Sequence, residues 1–134
     1  MPNKMKNAVR EYKDKHIDME KLAGKIEEFF KNEKFKVQSV THPKGTIIQA
    51  QKTGLLRTMI AADQSLTVTI TGTPDDLTIR IGVAAWLKDL GIAAAEGLLV
   101  TPLLLFIEVP ESLWVFEVEH NLWKYIEEQI NLDL

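Results

Sequence analysis

The sequence predicts an α+β fold: an N-terminal helix, a four-stranded antiparallel meander, and a C-terminal helical region packed on one sheet face. Three observations support this prediction. An apolar stripe with helical spacing begins after Asp18. Four short strand-like segments follow in two pairs, and each pair is joined by a turn. From residue 84 onward the alternation stops, and the composition becomes rich in Ala and Leu, which is typical of helices.

The first helix is predicted over residues 18–32, after a charged leader at residues 1–16. Asp18 suits the N-cap because its carboxylate accepts hydrogen bonds from the free amides of the first turn. Ile17 and Leu22 occupy the positions of a hydrophobic staple. Loose apolar spacing in the leader indicates a frayed or docked helix. The apolar face of the first helix comprises Met19, Leu22, Ala23, Ile26, Phe29 and Phe30.

Two β-hairpins are predicted next. The segments FKVQSVT and TIIQAQK flank an HPKG turn, and the segments LTVTITG and LTIRIGV flank a TPDD turn. In the second hairpin apolar residues alternate with polar ones, which indicates one buried face and one face in contact with water. Residues 53–65, between the hairpins, are expected to form a short helix or a folded loop.

Residues 84–99 are predicted to be helical, and Thr101 with Pro102 suits the start of a further helix. Residues 103–109 fit a helix or a fifth strand, because periodicity does not distinguish the two in so short a run. A last helix is predicted from Pro110 to about Ile130. Its inner face comprises Val118, Leu122, Tyr125, Ile126 and Ile130.

The segment 91–110 is the most apolar run in the chain. Its first 17 residues contain no Lys or Arg, but as a helix they would span roughly 26 Å, less than the ~30 Å hydrocarbon core of a bilayer. Glu96 lies within the run and would cost about 2–3 kcal/mol at mid-membrane. Membrane spanning is therefore not predicted. Core burial, a subunit interface and reversible membrane contact remain as alternatives.

Length and composition fit one domain, predicted over residues 17–134. The absence of cysteine excludes disulfides, thiolate metal sites and thiol nucleophiles, and it fits a cytoplasmic protein. Residues 1–60 carry 13 Lys and Arg against 7 Asp and Glu, whereas residues 61–134 carry 3 against 12. The whole chain has a net charge of −3, and its basic residues alternate with acidic ones, so nucleic-acid binding is not predicted.

Motifs for nucleotide binding or nucleophilic hydrolysis are missing from the sequence. His16 and His42 are expected on the solvated surface. Glu117 and His120 share a helix face but form only half of a carboxylate-bridged metal site, so no catalytic residue, metal or cofactor is predicted. Large apolar side chains are the candidates for lining an interface or a ligand pocket: Trp86, Leu99, Leu104, Phe106, Trp114 and Trp123.

The pattern QAQKTGLLR, LTVTITG and LTIRIG, followed by Trp, an Ala- and Gly-rich apolar stretch, a Pro-Leu pair and NLWKYIEEQI, resembles a small uncharacterised prokaryotic α+β domain family. Its members stand alone or accompany zinc ribbons. The resemblance covers about residues 18–130 and implies one compact domain with an apolar helical segment, but no activity. After the Pro-Leu pair this chain has less glycine than the family. The matching positions are Gly54, Arg57, Gly82, Trp86, Pro102, Leu122 and Trp123.

The function predicted from the sequence is that of a non-catalytic interaction or self-association domain with an unusually apolar helical segment. The basis is apolar surface beyond what one sheet face and two helices bury. A homo-oligomer or a complex with a protein partner is therefore expected. The alternative functions are a carrier or sensor of a small apolar or lipid-like ligand, and peripheral membrane contact.

Overall fold

The structure is a computed structural model that describes residues 9–51, 64–86, 99 and 114–132. Within these ranges the chain forms five strands and two long helices, and Leu99 is also helical. The elements in chain order are β1 (Val9–Lys13), α1 (Met19–Asn32), β2 (Lys36–His42), β3 (Gly45–Gln51), β4 (Gln64–Thr73), β5 (Asp76–Ala85) and α2 (Trp114–Asn131).

The strands form one antiparallel sheet in the order β1-β5-β4-β3-β2. The predicted α+β class and the two hairpins are confirmed, but the sheet has five strands instead of four. The additional strand, β1, lies within the predicted charged leader, where a helix was expected. It pairs with β5, so that Arg10 lies opposite Ile79 and Tyr12 opposite Leu77. The prediction failed because the residues that face the core here, Arg10 and Tyr12, cover it with long side chains that end in polar groups.

Both helices pack on the same face of the sheet, where the main core lies. The Asp18 carboxylate accepts a hydrogen bond from the Lys21 amide at 3.0 Å, which confirms the predicted cap of α1. The rings of Phe29 and Tyr125 lie 5.4 Å apart and connect α1 to α2. The largest fully buried side chains of this core include Phe30, Leu22, Ile26, Ile48, Leu66, Ile70, Leu77, Ile79, Ile81 and Leu122.

The second face of the sheet is also buried at its centre, contrary to the prediction of a wet face. Thr67 is fully buried, and Thr69 is 4% exposed. Ile47 and Ala84 form a small apolar cluster on this face, and Leu99 packs against it. Buried threonines and exposed threonines give the same alternating pattern, because Thr favours strands in either setting. The alternation therefore predicted the strands correctly and the environment of one face incorrectly.

The connection between β1 and α1 is held by the turn of the second hairpin. Asp14 and His16 adopt left-handed backbone conformations, with φ of 58° and 52°. The Asp14 amide donates to the Asp75 carbonyl at 2.7 Å, and the Ile17 amide donates to the Pro74 carbonyl at 3.0 Å. The His16 amide and its imidazole Nδ1 both lie within 3.0 Å of the Asp75 carboxylate. These contacts place β1 beside β5 before the chain turns into α1.

No helix in the described ranges is long and apolar enough to cross a membrane. The apolar run 91–110 and the segment 53–63 lie outside those ranges, with the exception of Leu99.

Candidate functional site

The candidate site residues from the sequence do not gather at one place. Trp86 and Leu99 lie on the second face of the sheet, where the Lys36 ammonium is 5.3 Å from the centre of the Trp86 ring. Trp123 is buried in the main core on the opposite face. Leu104, Phe106 and the side chain of Trp114 lie outside the described part of the chain.

A row of polar side chains crosses the buried second face. Gln38, Gln49 and Thr67 lie opposite one another on three successive strands. The Gln38 amide donates to the Gln49 carbonyl oxygen at 2.8 Å, and the Gln49 amide donates to the Thr67 hydroxyl at 3.1 Å. The Ser65 hydroxyl lies 3.0 Å from that of Thr67 and donates to the Ala84 carbonyl at 3.1 Å. Buried polar groups are tolerated when they are bonded in this way.

A second polar cluster joins β1 to α2 at the margin of the main core. One oxygen of Glu127 accepts hydrogen bonds from the Arg10 guanidinium at 3.0 Å and from the Tyr12 hydroxyl at 2.8 Å. The guanidinium carbon lies 4.5 Å from the centre of the Trp123 ring. The indole N–H of Trp123 donates to the buried carboxyl of Glu119.

The acidic and phenolic groups of this cluster are shifted by their surroundings. Burial raises the pKa of Glu119, while the Trp123 hydrogen bond and the nearby Arg10 charge oppose that shift. Burial and the bond to Glu127 raise the pKa of Tyr12 well above its ordinary value. Each polar group in the cluster contacts another member, which is the arrangement of a bridge between β1 and α2. The sequence carried a signal for it, because Glu119, Trp123 and Glu127 recur at four-residue spacing on one helix face.

A cleft of about 240 Å³ opens beside this cluster. Its walls carry both signs of charge, and Trp123 is the only large apolar side chain among them, so it does not resemble an apolar pocket. The lining residues are Arg10, His120, Trp123, Lys124, Glu127, Glu128 and Asn131.

The histidines supply no metal centre in the described residues, which contain no group of three or more candidate ligands. Glu117 and His120 are both exposed on α2. His16 is exposed, as expected. His42 was expected on the surface but is only 9% exposed, and its Nδ1 accepts a hydrogen bond from the Lys44 amide at 3.0 Å. That bond lies within the tight β2–β3 turn, so it stabilises the turn.

The two edge strands differ in how they meet solvent. In β1 three of the five residues are charged: Arg10, Glu11 and Lys13. Such charges discourage another strand from pairing with an edge. In β2 Lys36 is the only Lys, Arg, Asp or Glu among seven residues. The β2 edge is therefore the less protected of the two.

The hydrogen-bond pattern of the hairpin identifies the backbone groups of β2 that β3 does not use. A two-residue turn joins His42 to Gly45, so this pair bonds directly, and bonded pairs then alternate along the strands. Val37, Ser39 and Thr41 fall at the intervening positions, so their backbone N–H and C=O groups point away from β3. No strand of the described residues pairs with this side of β2.

The helix α1 runs alongside this edge, which no other described strand covers. The Ser39 hydroxyl donates to the Glu27 carboxylate at 2.9 Å, whereas Phe29, on the opposite side of α1, contacts α2. Helical spacing places Glu20, Glu27 and Lys31 along the side of α1 that faces outward above β2. We use the term β2 edge for this surface, which comprises the backbone of Val37, Ser39 and Thr41 and the side chains of Glu20, Glu27 and Lys31.

Comparisons of the chain with protein-family models, with curated proteins and with solved structures find no match. The resemblance to the small prokaryotic domain family therefore stays a prediction.

Proposed function

We propose that this chain is a non-catalytic interaction domain that binds an extended polypeptide strand along the β2 edge. The observation that carries the proposal is the set of outward-pointing backbone groups at Val37, Ser39 and Thr41. A strand laid against β2 would form main-chain hydrogen bonds with these groups and extend the sheet. The partner is thus an extended segment of protein.

The character of the side chains beside this edge favours a strand that is not strongly charged. Val37, Ser39 and Thr41 point toward the α1 side of the sheet, because they share the face of Ile48 and Ala50. Opposite residues on neighbouring strands interact most favourably when both are β-branched or small and polar. Alternate residues of that kind are therefore expected in the partner strand.

The experiment uses a proline to remove a single outward N–H group. Ser39→Pro deletes an N–H that the β2–β3 ladder does not use, and an edge strand accepts proline at such a position. Ser39→Ala is the matched control, since it removes the hydroxyl that bonds to Glu27 but keeps the N–H. Random peptides of the length of β2, displayed on phage, are selected on the wild-type chain and then measured against both variants.

The expected result is binding by wild type and Ser39→Ala and loss of binding by Ser39→Pro. Amide exchange at Val37 and Thr41 should slow in the wild-type complex. Thermal melts establish that both variants are folded. Peptides that bind Ser39→Pro as well as wild type would contradict the proposal, and so would a selection that yields no binder for a chain that also does not self-associate.

The alternative functions depend on residues outside the described ranges. The cleft beside Arg10 is charged, so it gives no support to a carrier of apolar ligands. Leu99 packs against Ile47 and Ala84 of the same chain, which supports core burial at that one position of the apolar run. Peripheral membrane contact, a cytoplasmic location and the roles of Leu104 and Phe106 stay predictions.

A further inference from the structure

We infer that the strand that adds to β2 is β2 of a second copy, so that two chains form one continuous sheet about a two-fold axis. This inference rests on the proposed function and names its partner. Symmetric strand addition requires that the same surface serve both copies. The β2 edge meets that requirement for two reasons. Its outward N–H and C=O groups can bond to the same groups of a second β2 strand that runs antiparallel to it. Its acidic and basic side chains lie at different positions along the edge.

The strand geometry limits the symmetric registers. Backbone N–H and C=O groups that point outward must face the outward groups of the second copy. Val37, Ser39 and Thr41 therefore pair only with the same three residues or with the next residues in that every-second-residue series. One such register is centred on Ser39, which then pairs with Ser39 of the second copy. The registers on either side of it are centred on Gln38, which pairs Val37 with Ser39 of the second copy, and on Val40, which pairs Ser39 with Thr41 of the second copy.

The charges on α1 distinguish these registers. Glu27 lies level with Ser39, because their side chains are hydrogen-bonded. A register centred on Ser39 would bring Glu27 opposite Glu27 of the second copy, which is repulsive. One strand residue advances ~3.3 Å and one helical residue ~1.5 Å, so moving the axis from Ser39 to Gln38 moves it about two residues along α1.

With the axis at Gln38, Glu27 lies opposite Lys31 of the second copy, and the same pair forms twice by symmetry. With the axis at Val40, Lys31 would approach Glu20 of the second copy, but Glu27 would lie level with Ala23 and would meet no opposite charge. Glu20 and Lys31 are exposed, and Glu27 is half-buried.

The distance between the helices fits long charged side chains. Helix α1 contacts β2, β3 and β4, which places its axis near β3. With strands ~4.8 Å apart, the two α1 axes would lie about 14 Å from each other. Glu and Lys side chains extended from both helices bridge that gap. The register centred on Gln38 thus combines a main-chain ladder with two symmetry-related pairs of Glu27 and Lys31.

The test is a charge exchange measured by sedimentation of the full chain over a wide concentration range. Wild type should show a reversible monomer–dimer equilibrium. Glu27→Lys alone and Lys31→Glu alone should each weaken the dimer by at least about tenfold, because each places like charges opposite one another twice. The double variant E27K/K31E should recover most of the affinity, and an equimolar mixture of the two single variants should form a heterodimer.

Glu27→Gln is the control for the internal bond to Ser39, since an amide oxygen still accepts it, and thermal melts of each variant confirm folding. A wild-type chain that stays monomeric, or a dimer that Ser39→Pro leaves intact, would overturn self-pairing. The register would be wrong if Ser39→Pro abolished the dimer but the double variant E27K/K31E did not recover the affinity that the single variants lose. A monomeric chain that still binds selected peptides through the β2 edge would refute this inference and leave the proposed function standing.

Discussion

Thr67→Val tests whether the second face of the sheet is dry. Valine has nearly the shape of threonine, so the change removes a hydroxyl and leaves no cavity. In the structure the Thr67 hydroxyl accepts from the Gln49 amide and lies 3.0 Å from the Ser65 hydroxyl. Both contacts are buried and disappear together.

The expected cost follows from those two bonds. A buried hydrogen bond contributes about 1 kcal/mol net, and a buried polar group that loses its partner costs about 1–3 kcal/mol. The free energy of unfolding should therefore fall by about 3 kcal/mol. For a domain of this size, at about 4 °C per kcal/mol, the melting temperature should drop by roughly 12 °C.

Urea unfolding followed by circular dichroism measures the loss, with an unchanged m-value as the condition for comparing the chains. Thr73→Val is the matched control, because Thr73 lies on the same strand and the same face but is exposed. It should change stability by less than about 0.5 kcal/mol. Equal and small effects at the two positions would mean that water reaches the centre of this face, as the sequence alone had suggested.

Two further changes probe the turn after β2 and the buried carboxyl of α2. Gly45→Ala should destabilise the fold by more than ~1 kcal/mol in the same urea assay, because φ is +154° and a Cβ atom would lie 2.5 Å from the Ile70 carbonyl oxygen; an unchanged midpoint would contradict this. Burial raises the pKa of Glu119 above 4.5, so the folded state holds its proton more tightly than the unfolded state. Its contribution to stability is full below that value and is lost as pH rises through the folded pKa. Glu119→Gln should therefore flatten the pH dependence of unfolding, and an unaltered slope would count against a buried acid.

The features that were predicted correctly are those that depend on a few neighbouring residues. The cap at Asp18 and the two turns are short-range patterns, and the structure has them where they were expected. Whether the second face is buried depends on the parts of the chain that pack on it. The sequence of one strand does not contain that information. A partial signal existed, because Ile47 and Ile48 are adjacent and point to opposite faces. Apolar residues on both sides of a strand are typical of a sheet covered twice.

The candidate site was harder to predict for a related reason. Trp123 was expected at an interface or in a ligand pocket, and Arg10 was expected in a charged leader. Their contact depends on β1 pairing with β5 across most of the chain, which periodicity does not show. The β2 edge was likewise invisible, because an edge is defined by the strand order and not by any one strand.

The pairing of β1 with β5 also has a consequence for synthesis on the ribosome. Arg10 faces Ile79, so β1 leaves the ribosome roughly 70 residues before its partner exists. At about 5–20 residues per second it waits for several seconds as a lone strand. A strongly apolar segment would be exposed to association with other nascent chains during that time. The charges on Arg10, Glu11 and Lys13 keep the waiting strand hydrated, and the aliphatic stem of Arg10 and the ring of Tyr12 become part of the core margin only when β5 arrives.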